Sequence, residues 1–320
     1  METRELGHSG IKVPTLCLGG NAFGWTADEA RSFELLDALL ESGLNFVDTA
    51  DVYSHWAPGN HGGESETVLG RWFKARGNRD RVILATKVGM PMGEGKQGLS
   101  RKYIRQAVED SLRRLQTSYI DLYQSHRDDQ STPQEETLGI YAELIAEGKV
   151  RAIGASNFTA ARLQSALEAA RKHNLPRYES LQPEYNLYDR AGYESALDGV
   201  CLQNGLGVIS YFSLASGFLS GKYHSGEEAA RVPRAGMLKK YFNPRGMRIL
   251  TALEEVAHGA QAKPAQVALA WLMARPGITA PIASATTVEQ LHELVEATRL
   301  ELAPTAIETL NRASAETVAA

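Results

Sequence analysis

The chain has 320 residues, of which 43% are hydrophobic and 22% charged, and a formal net charge of -4. That length suits one large domain or two ordinary ones, and α/β barrels often reach it as a single unit. The mild acidity gives no footprint for nucleic acid or an anionic membrane, and no apolar run reaches the roughly 18–20 residues needed to span a bilayer.

Cys17 and Cys201 have no zinc or disulfide spacing, and the polar start Met1-Glu2-Thr3-Arg4-Glu5 lacks the apolar core of a secretory signal. The expectation is a reduced, cytoplasmic setting.

In chain order, residues 3–12 contain Gly7 and Gly10 and are expected to form a short hairpin closing one end of the fold. Short apolar runs follow at 16–18, 44–48, 82–87, 120–126, 150–155, 179–182, 207–211 and 279–284. Runs this short, apolar on both alternating faces, read as buried parallel strands. Amphipathic segments separate them. Ile104, Val108, Leu112 and Leu115 fall on one helix face, and Thr132-Pro133-Gln134-Glu135 reads as a capping box with proline at the first helical position. Gly43, Gly148 and Gly205 stand where helices should stop. Eight strands with intervening helices and no linker predict a (β/α)8 barrel as one domain over 1–320. A long connection at 214–243 lacks periodicity and carries Arg231, Arg234, Lys239 and Lys240, the profile of a functional lid. Residues 303–315 read as an extra C-terminal helix.

In such a barrel, polar residues at the C-terminal strand ends are catalytic or binding candidates. Strand 2 ends at Asp48, strand 3 at Lys87 and strand 4 at His126; strand 5 runs into Ser156 and Asn157; strands 6, 7 and 8 end at Gln182, Tyr211 and Ser284. Tyr53 follows Asp48 closely enough to fold back over the same mouth. A phenol with a pKa of roughly 10 is a poor acid near neutrality. A buried ammonium beside it, Lys87, is expected to lower that value, with Asp48 keeping the lysine charged. His126 can hold a carbonyl oxygen near Tyr53. Taken singly, Asp48 with Lys87 would read as a structural ion pair, His126 as a core histidine and Tyr53 as a surface aromatic. Their occurrence at consecutive strand ends favours chemistry. Neither a Ser–His–Asp elbow nor a metal cluster is visible. Protonating a carbonyl without a covalent acceptor needs an external hydride source, which implies a nicotinamide. The G-x-G-x-x-G fingerprint is absent, so that cofactor would lie across the barrel mouth.

These residues sit in segments that resemble a known family. Asn45-Phe46-Val47-Asp48-Thr49-Ala50-Asp51-Val52-Tyr53, Ala85-Thr86-Lys87-Val88-Gly89, Gln124-Ser125-His126, Gly154-Ala155-Ser156-Asn157-Phe158, Leu181-Gln182-Pro183-Glu184-Tyr185-Asn186 and Gly217-Phe218-Leu219-Ser220-Gly221-Lys222 resemble the aldo-keto reductases, in order and over about 4–301. The resemblance implies an NADP-dependent reductase of alcohol-dehydrogenase type acting on a small carbonyl substrate. By it Tyr53, Asp48, Lys87 and His126 match the catalytic tetrad, Ser156, Asn157 and Gln182 the carboxamide contacts, and Tyr211 the aromatic on the nicotinamide ring. Phe212, Ser213, Leu214, Gly217, Leu219, Gly221 and Lys222 would embrace the pyrophosphate, and Ser284, Thr286, Gln290 and Glu293 the adenosine phosphate. Leu294 stands where many members have Asn, Phe212-Ser213 replaces a common Ser-Pro, and the 284–294 segment has no Lys or Arg. NADPH is therefore expected with a reduced margin, NADH remaining open. Thr287-Val288-Glu289-Gln290 also reads as a capping box, so Gln290 has a purely structural alternative. Trp25 and Trp56 are candidate substrate walls. Two other readings stand beside the reductase: a cofactor-binding regulatory protein like the β subunits of potassium channels, and a lyase using Lys87 as a Schiff base. The intact tetrad and the lack of a partner-binding segment before the barrel weigh against the first, and Asp48 beside Lys87 against the second. The oligomeric state has no signature in the sequence.

Overall fold

A computed structural model describes residues 2–229 and 235–316. The chain opens with a hairpin of β1 (Thr3–Glu5) and β2 (Lys12–Pro14), paired antiparallel with Thr3 opposite Pro14. Gly7 and Gly10 turn it at φ +61° and +73°, values that L side chains rarely adopt. The hairpin lies flat against the N-terminal end of the barrel: a Cβ on Gly7 would come 2.2 Å from the Glu179 carbonyl oxygen, and Leu6 is fully buried.

The barrel strands are β3 (Cys17–Gly19), β4 (Phe46–Asp48), β5 (Ile83–Val88), β6 (Ile120–Ser125), β7 (Val150–Ser156), β8 (Ser180–Gln182), β9 (Gly207–Val208) and β10 (Ile282–Ala283). All neighbours are parallel, in the order β10-β3-β4-β5-β6-β7-β8-β9. The seam between β9 and β10 is closed by Thr279 N–H to Val208 O (2.8 Å) and Ile282 N–H to Ser210 O (2.8 Å). Each predicted apolar run overlaps a strand of this (β/α)8 barrel, three of the strands extending one residue beyond it. The last two strands are shorter than expected because the seam is irregular: Pro281 has no N–H to give.

Helices α1 (Glu29–Glu41), α2 (Glu64–Arg76), α3 (Arg101–Leu115), α4 (Gln134–Ala146) and α5 (Ala160–His173) follow β3 to β7 in turn. After β8 come α6 (Ala191–Glu194) and α7 (Leu197–Asn204). Between β9 and β10 lie α8 (Gly226–Ala229), α9 (Ala235–Leu238), α10 (Pro244–Gly259) and α11 (Pro264–Met273), and the chain finishes with α12 (Val288–Ala297) and α13 (Pro304–Ser314). On α3 the predicted stripe of Ile104, Val108, Leu112 and Leu115 is buried. Ser100 caps that helix by accepting from Tyr103 N–H. The capping box expected at Thr132 does not form. Pro133 is the N-cap of α4, the helix starts at Gln134, and the Thr132 hydroxyl donates to Asp129 (2.7 Å). Asp129 is the stronger acceptor, being ionised and already gathering the Leu99 and Ser131 N–H groups.

The 214–243 connection is not structureless. It holds a 3₁₀ turn (Ala215–Ser220), α8, α9 and a second 3₁₀ turn (Lys239–Tyr241). Elements this short complete too few turns to print a period on the sequence; packing holds them, with Phe218 stacked on Tyr241 at 5.2 Å. Arg231 and Arg234 lie outside the described residues.

The apolar core has two parts. Leu6, Val13, Cys17, Phe46, Ala85, Leu122, Ala152, Ile209 and Ala280 fill the barrel, and a larger cluster lies between strands and helices. Among the described residues no helix is long and apolar enough to cross a membrane.

Gly70 marks the tightest helix crossing near the site, since a Cβ there would sit 2.0 Å from the Arg114 carbonyl oxygen at the end of α3. The backbone cannot yield as a side chain can, so Gly70→Ala should lower unfolding free energy by about 1–3 kcal/mol. Urea unfolding of the two proteins measures it, and equal midpoints would show that α2 slides freely.

Candidate active site

The ends of β4, β5 and β6 bring the four central groups together. Asp48 closes β4, Lys87 lies one residue before the end of β5, and His126 follows β6. Tyr53 is carried back over the mouth by a turn in which its N–H meets Ala50 O (3.2 Å) and its carbonyl accepts from Gly63 N–H (2.9 Å). Lys87 is completely buried, and its three donors are all used: Asp48 Oδ2 at 2.6 Å, Thr49 O at 2.9 Å and Tyr53 OH at 3.0 Å. The rings of Tyr53 and His126 meet edge to face at 5.9 Å.

Electrostatics set the protonation states. Burial opposes the Lys87 charge, but Asp48 and the Tyr53 oxygen outweigh it and hold the ammonium above its ordinary range. For Tyr53 burial is the larger influence; Lys87 pulls the phenol down, yet the hydroxyl stays above its usual value. This corrects the expectation that the ammonium lowers it outright: in the protein alone the phenol is firmly protonated. Because Lys87 can only donate, the Tyr53 oxygen accepts from it, and the phenolic proton is left for another acceptor. Burial, then the charges of Lys87 and Arg127, push His126 well below its usual range, so the imidazole is neutral. The His126 backbone N–H bonds Val88 O at 2.8 Å and its backbone carbonyl accepts from Asn157 Nδ2 at 2.9 Å, while the ring Nδ1 has no partner among the described residues.

The other Asp48 oxygen is held by amides. Oδ1 accepts from Gln124 Nε2 (3.0 Å) and Gln182 Nε2 (2.9 Å), and Gln182 Nε2 also reaches Gln124 Oε1 (3.1 Å). Beyond them runs a polar rim: Ser156 Oγ to Gln182 O (2.8 Å), Asn157 Nδ2 to Ser156 Oγ (3.1 Å), and Tyr211 OH to Asn157 Oδ1 (2.8 Å). Asn157 sits at φ +55°, a conformation asparagine tolerates better than most. Burial, then the charge of Glu184, push the Tyr211 hydroxyl up to about 12.

The phosphate candidates lie further out along two segments. Phe212 is exposed at φ +52°, its carbonyl held by Asn186 Nδ2 (3.0 Å), and Ser213 Oγ donates to Ser210 O (3.1 Å). Leu214 O accepts from Gly217 and Leu219 N–H (2.8 and 3.2 Å), with Gly217 at φ +101°. Gly221 lies against Pro264, and the Lys222 ammonium is 5.0 Å from the Tyr223 ring centre. After β10, Ser284 donates to Asn21, and Thr286 offers both N–H and hydroxyl to Gln290 Oε1 (2.9 and 3.1 Å). Thr287 caps α12 by accepting from Gln290 N–H (3.3 Å), but the return bond goes to Thr286 rather than to Thr287, half of the capping box expected. Glu293 pairs with Lys263, a cation of α11's start that the sequence reading passed over. Lys239 is exposed, and Lys240 is bound to Glu184 (3.2 Å) and Asp189 (3.1 Å).

Trp25 and Trp56 face each other edge to face at 5.8 Å, and Trp56 lies 5.4 Å from the Tyr53 ring. Their loops are tied by Ser54 Oγ to Phe23 O (3.0 Å) and Asn60 Nδ2 to Gly24 O (2.8 Å). The sequence reading missed Gln124, although it lies on His126's own strand, two residues back, and period two puts it on the same face as other interior positions. It also missed Asp51, whose buried carboxyl has no hydrogen-bond partner among the described residues and is pushed far above its usual value by burial, then by Glu66.

A family model described as "Aldo/keto reductase family" matches residues 15–315. The chain belongs to that family. The chain is 36% identical to an uncharacterized oxidoreductase, YrpG, of Bacillus subtilis, over 97% of this chain and 95% of that protein. It is 33% identical to protein tas of Escherichia coli, over 94% of each. It is 32% identical to L-glyceraldehyde 3-phosphate reductase of Escherichia coli, over 93% of this chain and 87% of that one. This aldo-keto reductase is thus an oxidoreductase acting on carbonyl compounds, in a family that uses nicotinamide cofactors.

The neutral His126 carries a pH signature. Its folded pKa lies below the unfolded value of about 6.5, so the unfolded chain binds the extra proton first and stability is lost as pH falls below that value. His126→Gln should remove this acid-side loss, narrowing the gap between unfolding free energies at pH 5.5 and 7.5. Denaturant titrations at both pH values measure it; the same gap in both proteins would mean that the ring is free to protonate.

Proposed function

We propose that this aldo-keto reductase is an NADP-dependent enzyme of alcohol-dehydrogenase type that reduces aldehydes or ketones to alcohols, with Tyr53 as general acid. We further infer one barrel domain over residues 1–320 and a cytoplasmic location. One observation carries the reading: Lys87 donates to the Tyr53 oxygen while bound to Asp48, which leaves the phenolic proton available to another acceptor and puts a cation beside the oxygen that would lose it.

A carbonyl oxygen between Tyr53 and the neutral His126 would take a hydrogen bond from each. A nicotinamide held at the mouth would supply the hydride that the carbonyl carbon needs. Tyr53 passes its proton to the oxygen as negative charge develops there, and Lys87 steadies the phenolate left behind. Asp48 keeps Lys87 charged through the cycle. Ser156, Asn157 and Gln182 would hold the carboxamide, and the pinned Tyr211 would support the ring. The fit is favourable on the protein's side: Gln182 Oε1 has no protein donor among the described residues, and Asn157 stands exposed at the rim. The turn from Phe212 through Ser213, Leu214, Gly217, Leu219, Gly221 and Lys222 would take the pyrophosphate. Ser284, Thr286 and Gln290, around the start of α12, would take the adenosine phosphate, where free N–H groups and the helix dipole favour an anion, and Glu293, further along the helix, would meet the adenosine as an acceptor. Trp25 and Trp56 would wall the substrate pocket. The similarity to an L-glyceraldehyde 3-phosphate reductase supports an aldehyde as the substrate. A Schiff-base role for Lys87 is disfavoured, since all its donors are engaged and its charge is held.

Tyr53→Phe should cut turnover of an aldehyde by on the order of 10²–10⁴ while leaving the NADPH dissociation constant nearly unchanged. A carbonyl panel followed at 340 nm, with fluorescence titration of the cofactor, measures both; near-normal turnover would remove Tyr53 from the acid role.

NADPH is expected to bind more tightly than NADH, but without the contribution of a charged donor after β10, typically worth about 1.5–3 kcal/mol. Dissociation constants for both cofactors decide it, and tighter NADH binding reverses the assignment.

A further inference from the structure

We infer that Gln124 is a positioning residue that orients Asp48 and Gln182 together, so that the group holding the Lys87 charge and the amide facing the nicotinamide carboxamide form one unit. The inference rests on the proposed reductase reading and goes beyond its tetrad.

The geometry leaves little choice. Gln124 is fully buried inside the barrel, level with Lys87 on the neighbouring strand. Its Nε2 donates to Asp48 Oδ1 at 3.0 Å, and its Oε1 accepts from Gln182 Nε2 at 3.1 Å. An ionised carboxylate only accepts, so any amide bonded to it must present its NH2. That fixes which atom of each glutamine faces Asp48. Gln182 Nε2 then spends both hydrogens, one on Asp48 and one on Gln124, and its Oε1 is left to accept. An accepting oxygen selects the amino side of a carboxamide and not its carbonyl. Without Gln124, Gln182 would keep one bond instead of two and could swing about it, and Asp48 Oδ1 would lose a donor.

Room for Gln124 is provided on the far side. Gly154 is its partner in register on β7, and a Cβ there would lie 2.4 Å from Ser180 Oγ and 3.1 Å from Gln124 Cγ. The barrel is emptied at that position so that an amide can lie across it.

Two substitutions test the role. Gln124→Met keeps the volume and removes both hydrogen bonds. It should lower kcat roughly tenfold to hundredfold and weaken NADP⁺ binding by about tenfold. By calorimetry, binding of 2′-phospho-ADP-ribose, which lacks the nicotinamide, should change less than about twofold. Gln124→Glu is the conservative variant. With Asp48 beside it the introduced carboxyl is held protonated at low pH, donating to Asp48 and accepting from Gln182 much as the amide does. Once ionised it faces a like charge. Its kcat relative to wild type should therefore be highest near pH 5.5 and fall as pH rises. A packing role would give neither the cofactor-fragment split nor the pH-dependent rescue.

Wild-type values in Gln124→Met, an equal loss of affinity for the fragment, or a Gln124→Glu profile parallel to wild type would each overturn the inference. Should Gln124→Met fail to fold, the pH profile of Gln124→Glu decides alone. If the wild type turns over no carbonyl with either nicotinamide, the reductase reading fails, and the split between NADP⁺ and its fragment still judges Gln124.

Discussion

An ammonium in the middle of a closed barrel is the constraint around which this site is arranged. Lys87 has no contact with water, and stripping its hydration would cost several kcal/mol without compensation. The compensation is complete and directional: a carboxylate, a backbone carbonyl and a phenol each take one of its hydrogens. Asp48 is no less demanding, and the two glutamine amides satisfy its second oxygen. Charge thus stays in the interior because each partner is itself held, and the chain of holding ends at strands whose register is fixed by the sheet.

This arrangement explains why the phenol is protonated in the protein alone. The pull of Lys87 is present, but burial dominates, and the proton stays on oxygen until something in the cleft accepts it. Under the proposed mechanism that is a useful resting state, because an acid must carry its proton before the substrate arrives. The neutral imidazole opposite is the counterpart, since the same burial that keeps the phenol protonated keeps His126 uncharged.

The barrel was legible in the sequence because parallel strands buried on both faces print as short apolar runs, and the strand-end polar residues stood out against them. Helix stops at Gly43, Gly148 and Gly205 were legible for a similar reason: each sits at positive φ just after a helix. What escaped notice depends on partners distant in sequence. The start of α4 is set by Asp129 competing for Thr132, and the 215–241 region by aromatic stacking rather than periodicity. Gln124 read as one more residue of an apolar strand, because nothing local reveals that a carboxylate two strands away reaches it. The belonging of Lys263 with Glu293 is likewise invisible until α11 and α12 pack together.

The register also joins Lys87, Gln124, Gly154 and Ser180 in one row across four strands. The first two fill the interior with long polar side chains, and the other two contribute almost no volume. A cross-section here is therefore lopsided, with one half crowded and the other hollowed out to receive it. The small residues are as specific to this centre as the large ones, though none would meet a reactant. Divergence between relatives can run freely through the tryptophan loops above, whereas a single methyl group added on the hollow side would tilt the amides. The floor of the barrel can drift only by paired changes, one side shrinking as the other grows, while substrate choice is rewritten overhead.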